Sequence, residues 1–200
     1  MKILGLTGGV GMGKSTAAAM LRRMGVPVYD ADAAVHRMMG KGGIAVAAVA
    51  AAFPGTVRNG AVDRAALGSR VFGDNAAMKR LESIIHPLVR RDEDRFLRQM
   101  RRRRARLVVM DVPLLFESGR ERRYDATIVV AAPEFLRRAR VLARPGMTPA
   151  RLAAIMARQM PDEEKRRRAD IVVPSGLGRA MTWRRLRQAV ERLGGRRGLR

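Results

Sequence analysis

The chain has no cysteine among its 200 residues, which excludes a disulfide scaffold, a cysteine-ligated zinc site and a thiol nucleophile. Histidine is nearly as scarce: with only His36 and His86, a histidine-rich metal site is not expected. Aromatic residues make up 4%, too few for a platform on which bases could stack. Asparagine occurs only as Asn59 and Asn75, neither followed by lysine, so the Asn-Lys-x-Asp sequence with which regulatory GTPases read guanine is missing. The longest unbroken apolar run, residues 44–53, is too short to span a bilayer. A glycine-rich turn beginning at Gly8 leaves no space for the charged and apolar regions of a secretory signal. A cytoplasmic location without membrane attachment is therefore expected.

Negative charge is also in short supply. Asp and Glu total 18 against 41 Lys and Arg, a formal charge of +23. Such an excess raises nucleic acid, an anionic membrane or a phosphorylated substrate as partners. Only five of the basic residues are lysine (Lys2, Lys14, Lys41, Lys79 and Lys165), and Arg, Ala and Gly all use GC-rich codons. The arginine excess therefore reads first as genome composition. The run 101–104 reads as a solvated helix face or, alternatively, a nucleic-acid patch.

Hydrophobic residues make up 47%, an ordinary globular content. A chain of this length buries roughly 70% of its unfolded surface and suits one compact domain with a minor subdomain. Five short apolar runs, 3–6, 26–29, 107–110, 127–131 and 171–173, are aliphatic on both faces, as in a parallel sheet covered on both sides. Helical spacing lies between them, as in Ala17, Met20, Leu21 and Met24, or Trp183, Leu186, Val190 and Leu193. The expected fold class is α/β.

About 75 residues separate the second and third strands. They read as helical throughout, with a turn at Asn59-Gly60, a helix opened by Asp63 and another broken at Pro87 before a long charged helix. This is too long for one crossover, so residues 31–104 are expected to form a helical insertion. A second helical insertion covers 133–160. The core that carries the five strands then comprises 1–30, 105–132 and 161–193, and the tail 194–200 should fray.

Gly8-Gly9-Val10-Gly11-Met12-Gly13-Lys14-Ser15 fits G-x-x-x-x-G-K-[ST], with a strand before it and an amphipathic helix after it. Glycines let successive N–H groups converge on phosphate oxygens, and the new helix directs its positive end at the same anion. Gly11, Met12, Gly13, Lys14, Ser15 and Thr16 are the expected ATP-binding residues. Lys14 would reach the β and γ phosphates, and the Ser15 hydroxyl is placed for Mg²⁺.

The third strand runs into Asp111, a position from which a carboxylate faces Mg²⁺ or its water shell, although a loop-capping aspartate has the same pattern. The second strand ends in Tyr29-Asp30-Ala31-Asp32. There, Asp32 could deprotonate an attacking hydroxyl or could simply cap a helix. Arg137, Arg140 and Arg144 share a helix face by spacing, next to Arg138. That face could close over a transferring phosphoryl group, or be solvated surface. His86, before Pro87, is a substrate contact or a helix junction.

Together these residues resemble the dephospho-CoA kinase family, over residues 2 to about 193. The likeness is carried by residues 5–15, by Asp30-Ala31-Asp32 with His36, and by Leu81-Glu82 with Ile84-Ile85-His86-Pro87. It is most specific in Asp111-Val112-Pro113-Leu114-Leu115-Phe116-Glu117, and extends to Gln159-Met160-Pro161, Glu164-Lys165 and Ala169-Asp170. The resemblance implies a P-loop NTPase-type five-stranded parallel sheet flanked by helices, transferring the γ-phosphate of ATP to the ribose 3′-hydroxyl of dephospho-CoA with Mg²⁺. It implies that Asp32 is the base, that Arg140 and Arg144 are lid arginines, and that His86, Pro113, Leu114 and Glu117 shape the acceptor site. The insertion 31–104 would hold the CoA part, and 133–160 would be the lid. No obligate nucleic acid or membrane partner is implied, and a monomer or weak homo-oligomer is expected. Two positions depart from the family pattern: Met12 stands where serine is usual, and Pro174-Ser175-Gly176 replaces a turn containing asparagine. The competing readings are another P-loop kinase, acting on a nucleoside monophosphate, and a nucleic-acid-binding NTPase.

Overall fold

Strand β1 (Lys2–Thr7) is aliphatic on both faces, and its last four residues are buried. Its neighbours β5 (Leu107–Asp111) and β6 (Ala126–Ala131) are buried almost throughout. With β2 (Val28–Asp30) and β7 (Ile171–Pro174) they form a five-stranded parallel sheet in the order β2-β5-β1-β6-β7. The register places Leu6 beside Asp111 on one side and Ile128 on the other. The structure, a computed structural model, describes residues 1–194. Of the tail expected to fray, Gly194 closes the last helix and the remainder lies outside the described residues.

Continuous apolar runs are explained by helices on both faces. On one face Leu4, Leu6, Val109, Ile128 and Val173 pack with Ala17 and Leu21 of α1 (Lys14–Arg23) and Leu186 and Val190 of α9 (Arg179–Gly194). Val108, Met110 and Val129, alternating with these along the strands, are buried on the other. Strand β2 starts two residues later than the apolar run suggests, because Pro27 has no N–H; its carbonyl still accepts from Val109 N–H at 2.9 Å. At the far edge Asp170 accepts from the N–H and hydroxyl of Thr127, at 2.7 and 2.8 Å, fixing where β7 begins beside β6.

The chain divides into two compact units: Met1–Tyr29 with residues from Met100 onward, and Asp30–Gln99. The second unit contains α2 (Ala31–Met39), α3 (Val46–Ala52), α4 (Arg64–Val71) and most of α5 (Asn75–Arg102). The sequence reads as helical throughout this unit, and the structure corrects that expectation. Strands β3 (Val57–Arg58) and β4 (Ala61–Val62) form an antiparallel hairpin. Its turn, Asn59-Gly60, has φ of 51° and 75°, the doubly positive conformation that matches strand twist and that Asn-Gly favours. Asp63 then caps α4 by accepting from Ala66 and Ala65 N–H, and the Ala66 bond leads in holding its carboxyl below the usual range.

Pro87 does not break a helix. It lies inside the 28-residue α5, an unbroken element whose stripe of Ile85, Val89 and Glu93 is buried. The proline removes one backbone hydrogen bond, but burial along that stripe on both sides of it holds the helix together. Among the described residues no helix is long and apolar enough to cross a membrane.

Candidate active site

The loop between β1 and α1 carries the phosphate-binding sequence. Gly13 is the N-cap of α1 with φ 89°, and Gly11 has φ 75°, both in the left-handed region that a side chain strains. Space is short as well: a Cβ on Gly13 would sit 3.1 Å from Ser175 Oγ, a tight contact, and one on Gly11 would run into Val141. Met12 points inward, 2% exposed, and its Sδ accepts from Ala132 N–H at 3.1 Å. Its side chain is thus spent on packing, and its N–H donates to the Gly9 carbonyl at 3.1 Å across the turn of the loop. Ser15 and Thr16 are exposed in the first turn of α1.

Lys14 Nζ lies 2.6 Å from Asp111 Oδ1, a short charge-assisted contact that brings the loop lysine and the last residue of β5 to one point. The parallel register makes this meeting possible, since Leu6 and Asp111 are level across the β1–β5 pair. Thr7 Oγ1 donates to the Pro113 carbonyl at 3.0 Å and fastens the following loop to β1, while Leu114 beyond it is exposed.

Glu117 faces inward. Its Oε1 accepts from Met160 N–H at 2.9 Å and lies 2.7 Å from Lys165 Nζ on α8 (Asp162–Arg168). Lys165 is 0% exposed, the largest fully buried side chain of the described residues. Burial acts to raise the Glu117 pKa, but hydrogen bonds from Lys165, its own backbone and Met160, with the Lys165 charge, outweigh it and hold the carboxyl below its ordinary 4.5. The folded chain therefore binds this proton less readily than the unfolded chain. The pair's stabilisation is complete above pH 4.5 and is lost as pH falls below that value through the folded pKa. Thermal melts should show Glu117→Gln losing stability relative to wild type at pH 7 and converging on it in acid. Lys165→Met should cost about 3–5 kcal/mol at neutral pH, because it leaves a carboxylate without its cation; an unchanged melt would remove the pair from the fold's support.

The arginines do not form one face. Helix α6 (Glu134–Leu142) ends before Arg144, which lies in the turn leading to α7 (Pro149–Ala157) and is exposed. Arg137 is buried in an ion pair with Asp162, whereas Arg138 and Arg140 are exposed. Arg144 would share that face only in a helix two residues longer; the chain leaves the helix at Ala143 and turns through Pro145-Gly146. Arg140 donates from Nη1 to Ser175 Oγ at 3.1 Å and from Nη2 to the Ser175 carbonyl at 2.8 Å. Ser175 Oγ in turn donates to the Met12 carbonyl at 2.5 Å, so the two positions that depart from the family pattern touch each other.

Asp32 and His86 belong to the second unit. Asp32 is exposed in the first turn of α2 and is not its cap; that role falls to Asp30, whose Oδ1 accepts from Ala33 N–H at 2.9 Å. His86 is exposed on α5, within the helix and not at a junction. Sequence reasoning missed the roles of Ser175, Gln159 and Asp162, whose partners are far away in the chain. Only the segment around Gln159 carried any signal.

A family model for dephospho-CoA kinase matches residues 2–177, which include the loop, Asp32, His86, Asp111 and Glu117. The chain belongs to the dephospho-CoA kinase family. A dephospho-CoA kinase of Mesorhizobium japonicum is 54% identical over 198 residues, 99% of this chain and 100% of that one. One from Paramagnetospirillum magneticum is 69% identical over 166 residues, 83% of this chain and 78% of that one. A crystal structure of a Thermus thermophilus protein superposes with a TM-score of 0.83 at 41% identity, covering 94% of this chain and 95% of that one. The chain is thus a kinase of the P-loop type, a nucleotide-using enzyme of coenzyme A synthesis.

Proposed function

We propose that this member of the dephospho-CoA kinase family moves the γ-phosphate of Mg·ATP to the ribose 3′-hydroxyl of dephospho-CoA. The observation that carries the reading is the 2.6 Å approach of Lys14 to Asp111 at the mouth of the glycine loop, in a chain whose family model covers both residues. Gly11, Met12, Gly13, Lys14, Ser15 and Thr16 bind the triphosphate, chiefly through backbone N–H groups. The Ser15 hydroxyl and Asp111 carboxylate are oxygen donors, the type that suits a hard cation holding few protein ligands and several waters. They would hold Mg²⁺, which neutralises charge on the phosphates when bound.

Lys14 leaves Asp111 for the β and γ phosphates when the nucleotide enters. Asp32 accepts the proton of the 3′-hydroxyl, the freed oxygen lone pair bonds to the γ-phosphorus, and the bond to the β-phosphate oxygen breaks with ADP leaving. Arg140 and Arg144, from the lid of residues 133–160, stabilise charge on the group in flight and exclude water. The insertion 31–104 takes the CoA part through His86, and Pro113 and Leu114 shape the acceptor site, with Glu117 holding their loop from behind. The enzyme works in the cytoplasm as a monomer or weak homo-oligomer, without obligate nucleic acid or membrane.

ADP release with Mg·ATP and dephospho-CoA, beside wells with nucleoside monophosphates or RNA, tests this reading. Turnover only with dephospho-CoA, giving CoA, is expected. Turnover only with another acceptor would discard the substrate, and hydrolysis stimulated only by RNA would give the +23 charge a role in binding.

A further inference from the structure

Arg137 is 7% exposed, and neither the phosphate loop's sequence pattern nor the lid reading gives it a task. Its Nη1 donates to Asp162 Oδ2, joining α6, where the chain enters the second insertion, to α8, just after the chain leaves it. The phosphate loop rests on both partners. A Cβ on Gly9 would sit 2.8 Å from Asp162 Oδ1, and one on Gly11 would sit 3.0 Å from the Arg137 carbonyl and 3.2 Å from its Cγ. Gln159, three residues before Asp162, accepts from Val10 N–H at 3.1 Å, between those two glycines. Three successive residues of the loop, Gly9, Val10 and Gly11, are thus backed by one partly buried ion pair and one amide. The protein itself satisfies the Val10 N–H, through Gln159, and the Met12 N–H, through the Gly9 carbonyl at 3.1 Å, which fixes the course of the loop between them.

We propose that Arg137 and Asp162 are positioning residues for nucleotide binding: their ion pair, with Gln159, holds the glycine loop in its phosphate-binding shape before the ligand arrives. A loop of this glycine content has many conformations, and ordering it on binding would subtract from affinity; a brace removes that cost beforehand. The pair also ties together the two ends of the 133–160 insertion, so its loss loosens the loop and the base of the lid together. Neither side chain touches the reacting atoms. Their effect falls on nucleotide affinity and not on the acceptor. The inference rests on the reading that the loop holds ATP and ADP, but not on the identity of the acceptor.

The two partners are unequally buried, with side chains 8% and 27% exposed for Arg137 and Asp162. Asp162 also lines an open cavity of about 590 Å³ with Met12, Ala132 and Arg166. Removing the arginine therefore leaves a carboxylate that water can reach, whereas removing the aspartate leaves a buried guanidinium unpaired. Arg137→Gln is the variant expected to fold without difficulty, and Asp162→Asn the more severe one. The double variant Arg137→Gln/Asp162→Asn replaces the ion pair with an amide pair that can still bridge the two helices.

The measurement is the Kd for ADP by calorimetry on the full chain, with steady-state KM for ATP and for dephospho-CoA beside it. Both single variants should weaken ADP binding by about 10-fold, Asp162→Asn more than Arg137→Gln, with KM for ATP rising in step and KM for dephospho-CoA unchanged. The double variant should recover to within about 3-fold of wild type, the coupling that contacting residues show. Wild-type ADP affinity in Arg137→Gln would overturn the proposal, as would equal losses for both substrates or a double variant no better than the sum of the singles. A wild-type chain that binds ADP but spares dephospho-CoA would instead sink the acceptor reading and leave this one standing, whereas a wild type that binds no ADP would end both.

Discussion

Lys14→Ala should lose phosphoryl transfer by at least about 10³-fold, the largest effect expected of any single substitution in this chain. The lysine is the one flexible cation of the loop, and its ammonium stands 2.6 Å from Asp111. In a low-dielectric site a positive charge aimed at the transferring group stabilises the charge that develops there far more than it would in water. Alanine removes that charge but leaves the loop's backbone, whose shape comes from Gly11 and Gly13 and from the contacts of Met12 and Val10. Far-UV circular dichroism should therefore be unchanged, and the melt should fall only modestly as the contact between Lys14 and Asp111 is lost. Lys14→Arg should not restore the rate, because a planar guanidinium cannot take the place of a compact ammonium on a flexible stem. The check is ADP release with dephospho-CoA beside a melt of the same sample. Full turnover by a folded Lys14→Ala would take this residue out of the phosphate site.

What the sequence made legible here follows from the range of the forces involved. The five strands, the glycine loop and the cap at Asp63 are set by neighbours within a few residues, and each was readable from its own segment. The hairpin around Asn59-Gly60 was half legible: the dipeptide announced a turn, but two-residue strands are too short to show alternation against an alanine-rich background. Pro87 misled because the local cost of proline was visible while the burial of α5 on both sides of it was not. The arginine face misled for the opposite reason. Spacing was legible, but the helix end at Leu142 and the partner that buries Arg137, 25 residues away, were not. Arg140 likewise meets Ser175 across 35 residues, and Glu117 meets Met160 across 43. Contacts of that separation leave no periodic trace, so the polar frame around the loop emerged only from the fold.

Asp32→Asn should lower kcat by about 10²–10⁴-fold while leaving KM for ATP within a few-fold of wild type. Two roles were open to this carboxylate from sequence, helix cap or base. The cap is Asp30, and Asp32 is exposed one residue into the helix, so the role of base is the one this variant tests. As an acidic group in the first turn it interacts favourably with the helix dipole, worth roughly 0.3–1 kcal/mol at such a site. The substitution can cost no more stability than that, so a large fall in kcat could not be ascribed to unfolding. Asparagine keeps the size of the side chain and one acceptor oxygen, and removes its charge and its ability to take a proton. Asp32→Glu keeps that ability on a longer stem, and should recover part of the rate if proton acceptance is the function. Asp30→Ala gives the contrast: loss of a cap should appear as roughly 0.5–2 kcal/mol of stability. A variant Asp32→Asn with wild-type kcat would reduce the residue to an acidic first-turn position on α2, and the proton of the acceptor hydroxyl would need another destination.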